Sequence, residues 1–388
     1  MTNNKPVLII QLRPEDETSD NEYQAILNYG ELSHHHTHRM RIEKTGIPEN
    51  LSLADYSAII VGGSPFDIST AAEHKSAIQH KIEADFKRLL EQVIEQDFPF
   101  LGACSGNGLL GDYLGTTISQ RYCEAVGSKA LTITEQGRSD PLLQGFPTQI
   151  DALLGHKEAC DSLPAGAVLL ITGSDCPVQM FRVGSHVYAT QFHPEGDSDG
   201  FKLRIETYKH NGYFAPDEAE QLTDAVSQAN TPYAQKILKR FVQVYYKQAG
   251  ISLQLLDWTA AKAMAAAIRE SVFIEEQQVP EDEEWDNEDD SAQHIIAVKD
   301  GIAIATARLT QAGKVGRMAV LKPYRQLGIA SLLLNKLVTV AKQQELNTIK
   351  LWSQLHAQAV YKKHAFVAYG DEFLDAGIPH IKMRLDLN

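Results

Sequence analysis

The chain has 388 residues, 43% hydrophobic and 22% charged, an ordinary globular composition that argues against disorder, collagen-like repeats and coiled coils. Its 36 lysines and arginines against 50 aspartates and glutamates give a formal net charge of −14, which argues against binding nucleic acid or an anionic membrane through bulk charge. At roughly 100–200 residues per domain, the length predicts two domains.

The N-terminal segment lacks a basic stretch followed by a long apolar core, so no signal peptide is predicted. Apolar runs elsewhere are far shorter than the ~20 residues of a membrane span. The cysteines have no C-x-x-C spacing, which argues against a disulfide scaffold or a structural zinc site and predicts a reducing, cytoplasmic location. They are Cys104, Cys123, Cys160 and Cys176.

In the first half of the chain, short apolar strands alternate with helical patterns, which predicts a mainly parallel α/β sheet with helices on both faces. The predicted strands are Val7–Leu12, Tyr56–Val61, Phe98–Gly102, Ala167–Thr172 and Val187–Phe192. An amphipathic helix is predicted from Ala72 to Gln96. Apolar residues at helical spacing between Ile237 and Tyr245 predict a last helix, with Gly250 as its stop.

The pattern then restarts, so we expect one domain at 1–249 and a second α/β domain at 250–388. The predicted strands of the second domain are Ile251–Leu256, His294–Val298, Ile302–Leu309, Val315–Leu321, Thr348–Trp352 and a C-terminal pair. Its predicted helices are Thr259–Glu276, Ala330–Glu345 and Ala357–Lys363.

Cys104 lies between Gly102 and Gly106, where a predicted strand meets a helix. The glycines permit a sharp turn that projects the side chain above the sheet, and a helix N-terminus favours a thiolate. On this pattern alone, a buried structural cysteine is about as frequent an explanation as a nucleophile.

A second segment, Gln191-Phe192-His193-Pro194-Glu195, ends another predicted strand. His193 is a candidate base for Cys104, and Glu195 is placed to hold the imidazole in the useful tautomer.

Together, G-A-C-S-G and Q-F-H-P-E resemble the class I glutamine amidotransferases, over about residues 5–248. The resemblance implies a flavodoxin-like sheet and a catalytic triad of Cys104, His193 and Glu195. It also matches Gly62-Gly63-Ser64-Pro65 to the family's oxyanion loop, so that Gly62 and Gly63 would donate amide groups to a tetrahedral intermediate. In that family, glutamine is hydrolysed through a γ-glutamyl thioester with release of ammonia.

The segment after the nucleophile departs from the family pattern C-x-G-x-Q. Gly108 occupies the place of a glutamine that helps hold the substrate, so the triad supports cleavage of a γ-glutamyl amide more firmly than cleavage of glutamine itself. The unit most resembles the GMP synthase-like branch. The chain contains neither S-G-G-x-D-S nor G-x-x-x-x-G-K-[ST], so a complete GMP synthase is not expected.

In the second half, Arg325 and Gly328 lie between a predicted strand and a predicted helix. Backbone amides at such a helix N-terminus suit a pyrophosphate, although an ordinary loop is the alternative. With Ala357-x-x-Val360-Tyr361 and Ala365-Phe366 downstream, the segment resembles the GNAT acetyltransferases over about residues 251–388.

This resemblance implies acetyl-CoA as cofactor. The backbone of Met318, Ala319 and Val320 would pair with the pantetheine arm. The loop formed by Arg325, Gln326, Leu327, Gly328, Ile329 and Ala330 would bind the pyrophosphate. Tyr361 would protonate the departing thiolate, with a packing role as the alternative. Gln354 and His364-Ala365-Phe366 differ from the commonest family pattern.

The acceptor pocket is expected near Phe273–Gln277 and Glu372–His380, where Glu276 or His380 would take a proton from the incoming ammonium. Between Glu281 and Asp290, eight of ten residues are acidic, which fits either a solvated loop or a field that attracts cationic amines. The histidines from His34 to His38 are a weaker candidate for metal binding, and no metal site is predicted.

These observations predict a bifunctional enzyme that cleaves glutamine or a γ-glutamyl amide and acetylates an amine. One hypothesis couples the two sites, so that the amine released by the first is acetylated by the second. The alternatives are a glutaminase that supplies ammonia to a separate synthetase, and a degenerate domain that binds a ligand and regulates the other. The expected partners are small molecules, without nucleic acid or membrane, and a homo-oligomer stays open.

Overall fold

The computed structural model describes residues 5–210 and 214–387, and the chain divides into two compact units, Met1–Ala249 and Gly250–Asn388. Each unit has its own buried apolar core. No helix within the described residues is both long and apolar enough to cross a membrane.

The first unit contains eleven strands and eight α-helices within its described residues. The strands are β1 (Val7–Gln11), β2 (Thr37–Arg41), β3 (Ala58–Val61), β4 (Phe100–Ala103), β5 (Ile118–Ser119), β6 (Glu124–Ile133), β7 (Gln149–His156), β8 (Ala159–Cys160), β9 (Val168–Thr172), β10 (Met180–Val183) and β11 (Val187–Thr190). The helices are α1 (Asp16–Gly30), α2 (Ile42–Thr45), α3 (Ala77–Glu95), α4 (Ser105–Tyr113), α5 (Glu135–Ser139), α6 (Ser198–Tyr208), α7 (Ala219–Ser227) and α8 (Pro232–Val242).

Nine of these strands form one mixed sheet in the order β2-β1-β3-β4-β11-β10-β9-β6-β7. The strands from β2 to β11 in this order are parallel, and the pairings from β11 to β7 are antiparallel. The sheet is therefore less parallel than the sequence predicts. Short connections such as the one between β10 and β11 join only antiparallel neighbours, whereas parallel neighbours need a longer crossover.

Both faces of the sheet are covered, because successive side chains of a strand point to opposite faces. Val7 and Ile9 pack in a core with residues of α1 and α8. Leu8 and Ile10 pack in the opposite core with residues of α3 and α4. This two-sided burial explains why the parallel strands are continuous apolar runs in the sequence.

The second unit contains seven strands and four α-helices within its described residues. The strands are β12 (Ile251–Leu256), β13 (Gln293–Lys299), β14 (Ile302–Leu309), β15 (Val315–Val320), β16 (Thr348–Gln354), β17 (Val367–Asp375) and β18 (Ile378–Asp386). The helices are α9 (Trp258–Arg269), α10 (Glu281–Glu284), α11 (Ile329–Gln343) and α12 (Gln358–Lys362). The helix predicted over Thr259–Glu276 continues beyond α9 as a π-helix, Glu270–Glu276.

Two sheets make up this unit, β12-β13-β14-β15 and β16-β18-β17. Within the described residues, the only pairing between them is a parallel bridge from Lys314 to Lys350, just before β15 begins. Beyond the bridge, β15 pairs with β14 on one side alone, so the sheets part there and leave backbone groups of β15 without a strand partner. Helix α11 covers this region and buries Leu333, Leu337 and Val340 in the core.

Candidate active sites

Three adjacent parallel strands of the first unit bring the predicted amidotransferase residues to one edge of the sheet. Gly62 and Gly63 follow β3, Cys104 follows β4, and His193 lies three residues beyond β11. Residue Thr190 of β11 pairs with Ala103 of β4, and the Cys104 amide donates to the Thr190 carbonyl at 2.7 Å. Ligand and catalytic groups gather at such carboxyl ends because parallel strands all finish at the same edge.

Cys104 lies on a strained turn. Its φ of 52° and ψ of −96° fall in a region that non-glycine residues seldom occupy, and it immediately precedes α4. Gly102 makes the turn feasible, because a Cβ at this position would lie 2.8 Å from the Gly106 backbone. The side chain is partly buried and lines the same cavity as His193. A strained cysteine between a strand and a helix is the geometry expected of a nucleophile elbow.

The Cys104 thiol is protonated in the free protein. Burial raises its pKa to about 12, although the nearby Arg13 and Arg204 oppose this effect. The expectation that the α4 N-terminus would by itself give a thiolate is therefore wrong, because desolvation of the charged form is the larger effect. The cysteine needs a base to become a nucleophile.

His193 has the environment of such a base. It is 4% exposed, and its Nδ1 donates to Glu195 Oε1 at 2.7 Å, which leaves Nε2 as the proton acceptor of the neutral ring. Burial lowers the His193 pKa below its usual value against the opposing effect of Glu195, so the ring is neutral at neutral pH. Burial alone would raise the Glu195 pKa, but His193 and Arg204 lower it, which keeps the carboxylate charged.

The amides of Gly62 and Gly63 are already used. The Gly62 amide donates to the Ile10 carbonyl at 3.0 Å, and the Gly63 amide donates to Glu22 Oε1 at 3.1 Å. The expectation that these two groups form the oxyanion hole is therefore wrong for this conformation. The Ser105 amide is better placed, because it directly follows the nucleophile at the first position of α4, where no intrahelical partner exists.

A buried network that the sequence did not indicate surrounds this site. Arg13 Nε donates to Glu22 Oε1 at 2.8 Å, and Arg13 Nη1 donates to the Tyr208 hydroxyl at 3.3 Å. Arg204 Nη2 donates to Glu195 Oε1 at 3.1 Å. The position of Arg13 two residues beyond β1 was an available signal, since side chains just past parallel strands meet at the ligand edge. Arg204 lies within α6, where no local pattern marks it.

Two cavities meet at Cys104. The arginine cavity, of about 450 Å³, is lined by Arg13, Ser64, Cys104, Val126, Gly155, His193, Phe201, Arg204, Ile205, Tyr208 and Phe214. The glutamate cavity, of about 340 Å³, is lined by Ser64, Phe66, Asp67, Cys104, Ser105, Gly108, His156, Lys157, Glu158 and Gln191. A substrate bound at the sulfur thus has space on two sides.

Gly108 is enclosed in the glutamate cavity. A Cβ at this position would lie 2.8 Å from Ile68 Cδ1, so a glutamine side chain would require Ile68 to move. Glu158 fixes this wall by accepting from the Ile68 and Ser69 amides at 2.7 and 2.8 Å. The departure at Gly108 is therefore built into the shape of the cavity.

The predicted pyrophosphate loop of the second unit precedes α11. Gln326 (φ 65°) and Gly328 (φ 76°) adopt left-handed conformations, and no side chain caps the first turn of the 15-residue helix. The first amides of a helix have no intrahelical acceptors, so the loop can receive an anion. The unpaired side of β15 at Met318–Val320 lies just before this loop in the chain.

Tyr361 is buried on α12 and packs against Phe366, with ring centroids 6.1 Å apart. Burial raises the pKa of Tyr361 to about 12. Its hydroxyl makes no hydrogen bond within the described part of the chain. The phenol therefore stays protonated at neutral pH and is a weaker acid than an unperturbed tyrosine, whose pKa is about 10.

The two acceptor-pocket candidates differ. Glu276 forms a two-pronged ion pair with Arg325, at 2.6 Å for each contact, and this pairing lowers the Glu276 pKa. A carboxylate so engaged is a poor base, which contradicts its expected role. His380 is buried, and its Nδ1 must be protonated because it donates to the Ile378 carbonyl at 2.8 Å. Its Nε2 therefore remains able to accept a proton.

Half of the acidic segment serves an internal ion-pair network, which matches neither a solvated loop nor a substrate field. Arg269 binds Glu284 and Asp289, and Arg308 binds Asp286, Glu288 and Asp289. The guanidinium groups of Arg269 and Arg308 are nearly inaccessible, so they require such partners.

The histidine run packs against neighbouring polar and aromatic side chains. His38 Nδ1 lies 2.6 Å from the Tyr56 hydroxyl, and the rings of His34 and His36 contact Tyr23 and Tyr246. Within the described residues, the group with metal-ligand spacing lies elsewhere. It consists of Glu124, His156 and Cys176, in which His156 Nε2 is hydrogen-bonded to Glu124 Oε2 at 2.9 Å.

Comparison with known proteins identifies both units. A family model of class I glutamine amidotransferases matches residues 19–207, and an acetyltransferase (GNAT) domain model matches residues 267–387. The chain joins a class I glutamine amidotransferase domain to a GNAT acetyltransferase domain. Both belong to enzyme families, as the sequence motifs predict.

Individual relatives cover one domain each. The uncharacterized N-acetyltransferase YjcF of Bacillus subtilis is 34% identical over 123 residues, which are 31% of this chain and 88% of the relative. The glutamine-hydrolyzing component of a GMP synthase from Sulfurisphaera tokodaii is 27% identical over 144 residues, 37% of this chain and 69% of the relative.

A crystal structure of a glutamine amidotransferase from Thermotoga maritima confirms the fold of the amidotransferase domain. It superposes with a TM-score of 0.51 at 18% identity and covers 63% of this chain and 99% of its own.

Proposed function

We propose that the chain is a bifunctional enzyme. The amidotransferase domain would cleave glutamine or a γ-glutamyl amide by thiol catalysis, and the GNAT domain would transfer an acetyl group from acetyl-CoA to an amine. The observation that carries the first half is the strained Cys104 turn, which shares a cavity with the hydrogen-bonded pair of His193 and Glu195.

In the proposed hydrolysis, His193 Nε2 takes the Cys104 proton as the sulfur attacks the amide carbon. The Ser105 amide donates to the resulting oxyanion. His193 then gives the proton to the leaving nitrogen, and the C–N bond breaks to leave a thioester. Glu195 stabilises the imidazolium throughout, and water attacks the thioester with His193 again as the base.

In the proposed acetyl transfer, acetyl-CoA supplies an activated acyl group. The open side of β15 at Met318–Val320 suits the pantetheine amides, and the uncapped start of α11 suits the pyrophosphate. His380 Nε2 would accept a proton from the acceptor ammonium. Tyr361, held protonated by burial, would donate a hydrogen bond or a proton to the sulfur. The Arg325–Glu276 pair would have to open for Arg325 to meet a phosphate.

A γ-glutamyl amide is favoured over glutamine by the shape around Gly108, where Ile68 fills the space that a glutamine side chain would need. A coupled enzyme would acetylate the amine released by the first site. A glutaminase serving a separate synthetase is the second candidate, and the family match of the amidotransferase domain favours it. The order of the site residues disfavours a degenerate regulatory domain.

The test is to incubate the full chain with glutamine and with γ-glutamyl amides, with and without acetyl-CoA, and to measure glutamate, ammonia and acetylated amine. Glutamate and acetylated amine from an amide would support coupling. Ammonia from glutamine alone would favour the glutaminase. The absence of glutamate from every substrate would refute thiol hydrolysis. We further propose that the chain acts on these small molecules in the cytoplasm, in keeping with its four free thiols.

A further inference from the structure

The two cavities at Cys104 divide any amide substrate between them. The reacting carbonyl must lie at the sulfur, since Cys104 lines both cavities. His193 belongs to the lining of the arginine cavity only, as judged over the described residues. Because His193 must protonate the departing nitrogen, the leaving group occupies the arginine cavity, and the acyl group occupies the glutamate cavity beside Gly108 and Glu158.

The arginine cavity contains a guanidinium with unused donors. Arg204 is 8% exposed, and its Nη2 is bonded to Glu195. Its Nε and Nη1 are buried and have no hydrogen-bond partner within residues 5–210 and 214–387. Buried donors without acceptors are costly, and native structures seldom retain them without a reason. An ammonium ion, the charged form of the ammonia that glutamine releases, cannot satisfy them because it carries only donors.

Arg13 adds a second cation to the same cavity. Its Nε and Nη1 contact Glu22 and Tyr208, while Nη2 extends toward the cavity near Gly63, whose Cβ, if present, would lie 2.5 Å from it. A carboxylate can accept from two guanidinium donors at once, which gives both energy and orientation. The remaining wall, at Val126, Phe201 and Ile205, is apolar and suits the carbon chain that would carry such a carboxylate.

We propose that the amide cleaved at Cys104 carries a carboxylate on its amine side, so that the released amine is an amino acid or another aminocarboxylate held by Arg204 beside Arg13. This inference rests on the proposed thiol hydrolysis. The balance is that of amide hydrolysis: the C–N bond breaks, one water is consumed, the acyl group leaves as glutamate, and the nitrogen leaves as the aminocarboxylate.

The experiment compares isosteric pairs of substrates on the full chain. γ-Glutamylglycine carries a carboxylate where γ-glutamylglycinamide carries a neutral amide, and a γ-glutamyl amide of 1,2-diaminoethane carries a cation. We expect kcat/KM for glutamate release to be about 10- to 100-fold higher for the carboxylate than for the carboxamide, the range that charge-assisted hydrogen bonds provide. The cationic amide should be the poorest substrate.

The variant Arg204→Gln tests the assignment through the ratio of the two kcat/KM values, which should fall toward one. The ratio is the proper readout because Arg204 also contacts Glu195 and its loss will slow every substrate. The matched control is Arg138→Gln, which removes an exposed arginine outside both cavities and should leave the ratio unchanged. If Arg204→Gln does not fold, product inhibition of the wild-type chain replaces it, with glycine expected to inhibit more strongly than glycinamide.

The outcomes separate the two proposals. Release of glutamate from glutamine or from the carboxamide at least as fast as from the carboxylate would overturn the present inference and leave thiol hydrolysis standing. An unchanged ratio in Arg204→Gln would do the same. Failure to release glutamate from any substrate would refute both.

Discussion

The two domains place their buried charges differently. In the amidotransferase domain, buried ion pairs directly surround the reacting cysteine, through Arg13–Glu22, His193–Glu195 and Arg204–Glu195. In the GNAT domain, the buried pairs of Arg269 and Arg308 lie outside the cofactor loop, whose own pair, Arg325–Glu276, is partly exposed.

This difference follows from the chemistry of each site. A thiol nucleophile needs a base and an orienting carboxylate fixed at short range, and a dry setting strengthens their interactions. A pyrophosphate can instead be bound by backbone amides at a helix start, so the loop can do without buried side-chain charges. In the GNAT domain, buried charge stabilises the fold, including Arg317, which contacts Glu284 and Asp286 next to Met318.

The largest effect is expected at the nucleophile. Cys104→Ala should lower kcat for glutamate release by about 10⁴-fold or more, because the remaining groups offer only binding and oxyanion contacts. Acetyl transfer, measured as CoA release, should be unaffected. Cys123→Ala, which removes an exposed cysteine, is the control. Comparable loss in both cysteine variants would show that Cys104 is not the nucleophile.

Next in size is the buried network of the GNAT domain. Arg269→Met should reduce the free energy of unfolding by about 3–5 kcal/mol, because Glu284 and Asp289 would remain buried without a cation. Urea unfolding of the full chain, followed for each transition, measures this change. Arg384→Met, at an exposed arginine, should cost less than about 1 kcal/mol. A small effect at Arg269 would mean that the acidic segment is not structural and would revive a substrate-attracting role.

A smaller effect is expected at Tyr361. Tyr361→Phe should lower kcat for acetyl transfer by about 10- to 100-fold, at or below the usual contribution of a general acid, because a pKa of about 12 makes the phenol a weak acid. The KM for acetyl-CoA should change little. Tyr369→Phe, a tyrosine on β17, is the matched control. If Tyr361→Phe retains full kcat, its role is packing against Phe366.

The most gradual effect is the pH dependence of glutamate release. The base is active when neutral, so kcat/KM should fall by about tenfold per pH unit below the His193 pKa, which burial holds below its ordinary value. Above that point the profile should be flat through about pH 9, because the Cys104 pKa is about 12 and no thiolate forms in this range. A second rise between about pH 8 and 9 would instead indicate direct ionisation of the thiol.

The sequence alone determined the features that local patterns encode. Apolar runs located β1, β3, β4, β9 and β11, since parallel strands are buried on both faces. The glycines around Cys104 and the H-P-E segment indicated the nucleophile and its base, because a strained turn and a strand end impose their residues locally. The acetyltransferase helices and strands were found for the same reason.

Only the tertiary structure decided the rest. The antiparallel half of the large sheet, the burial that protonates Cys104, and the use of the Gly62 and Gly63 amides by Ile10 and Glu22 all depend on contacts between distant segments. So does the pairing of Glu276 with Arg325, and so does the presence of Arg204 in the cavity. Desolvation and hydrogen-bond competition are properties of the folded surroundings, and a residue's neighbours along the chain do not reveal them.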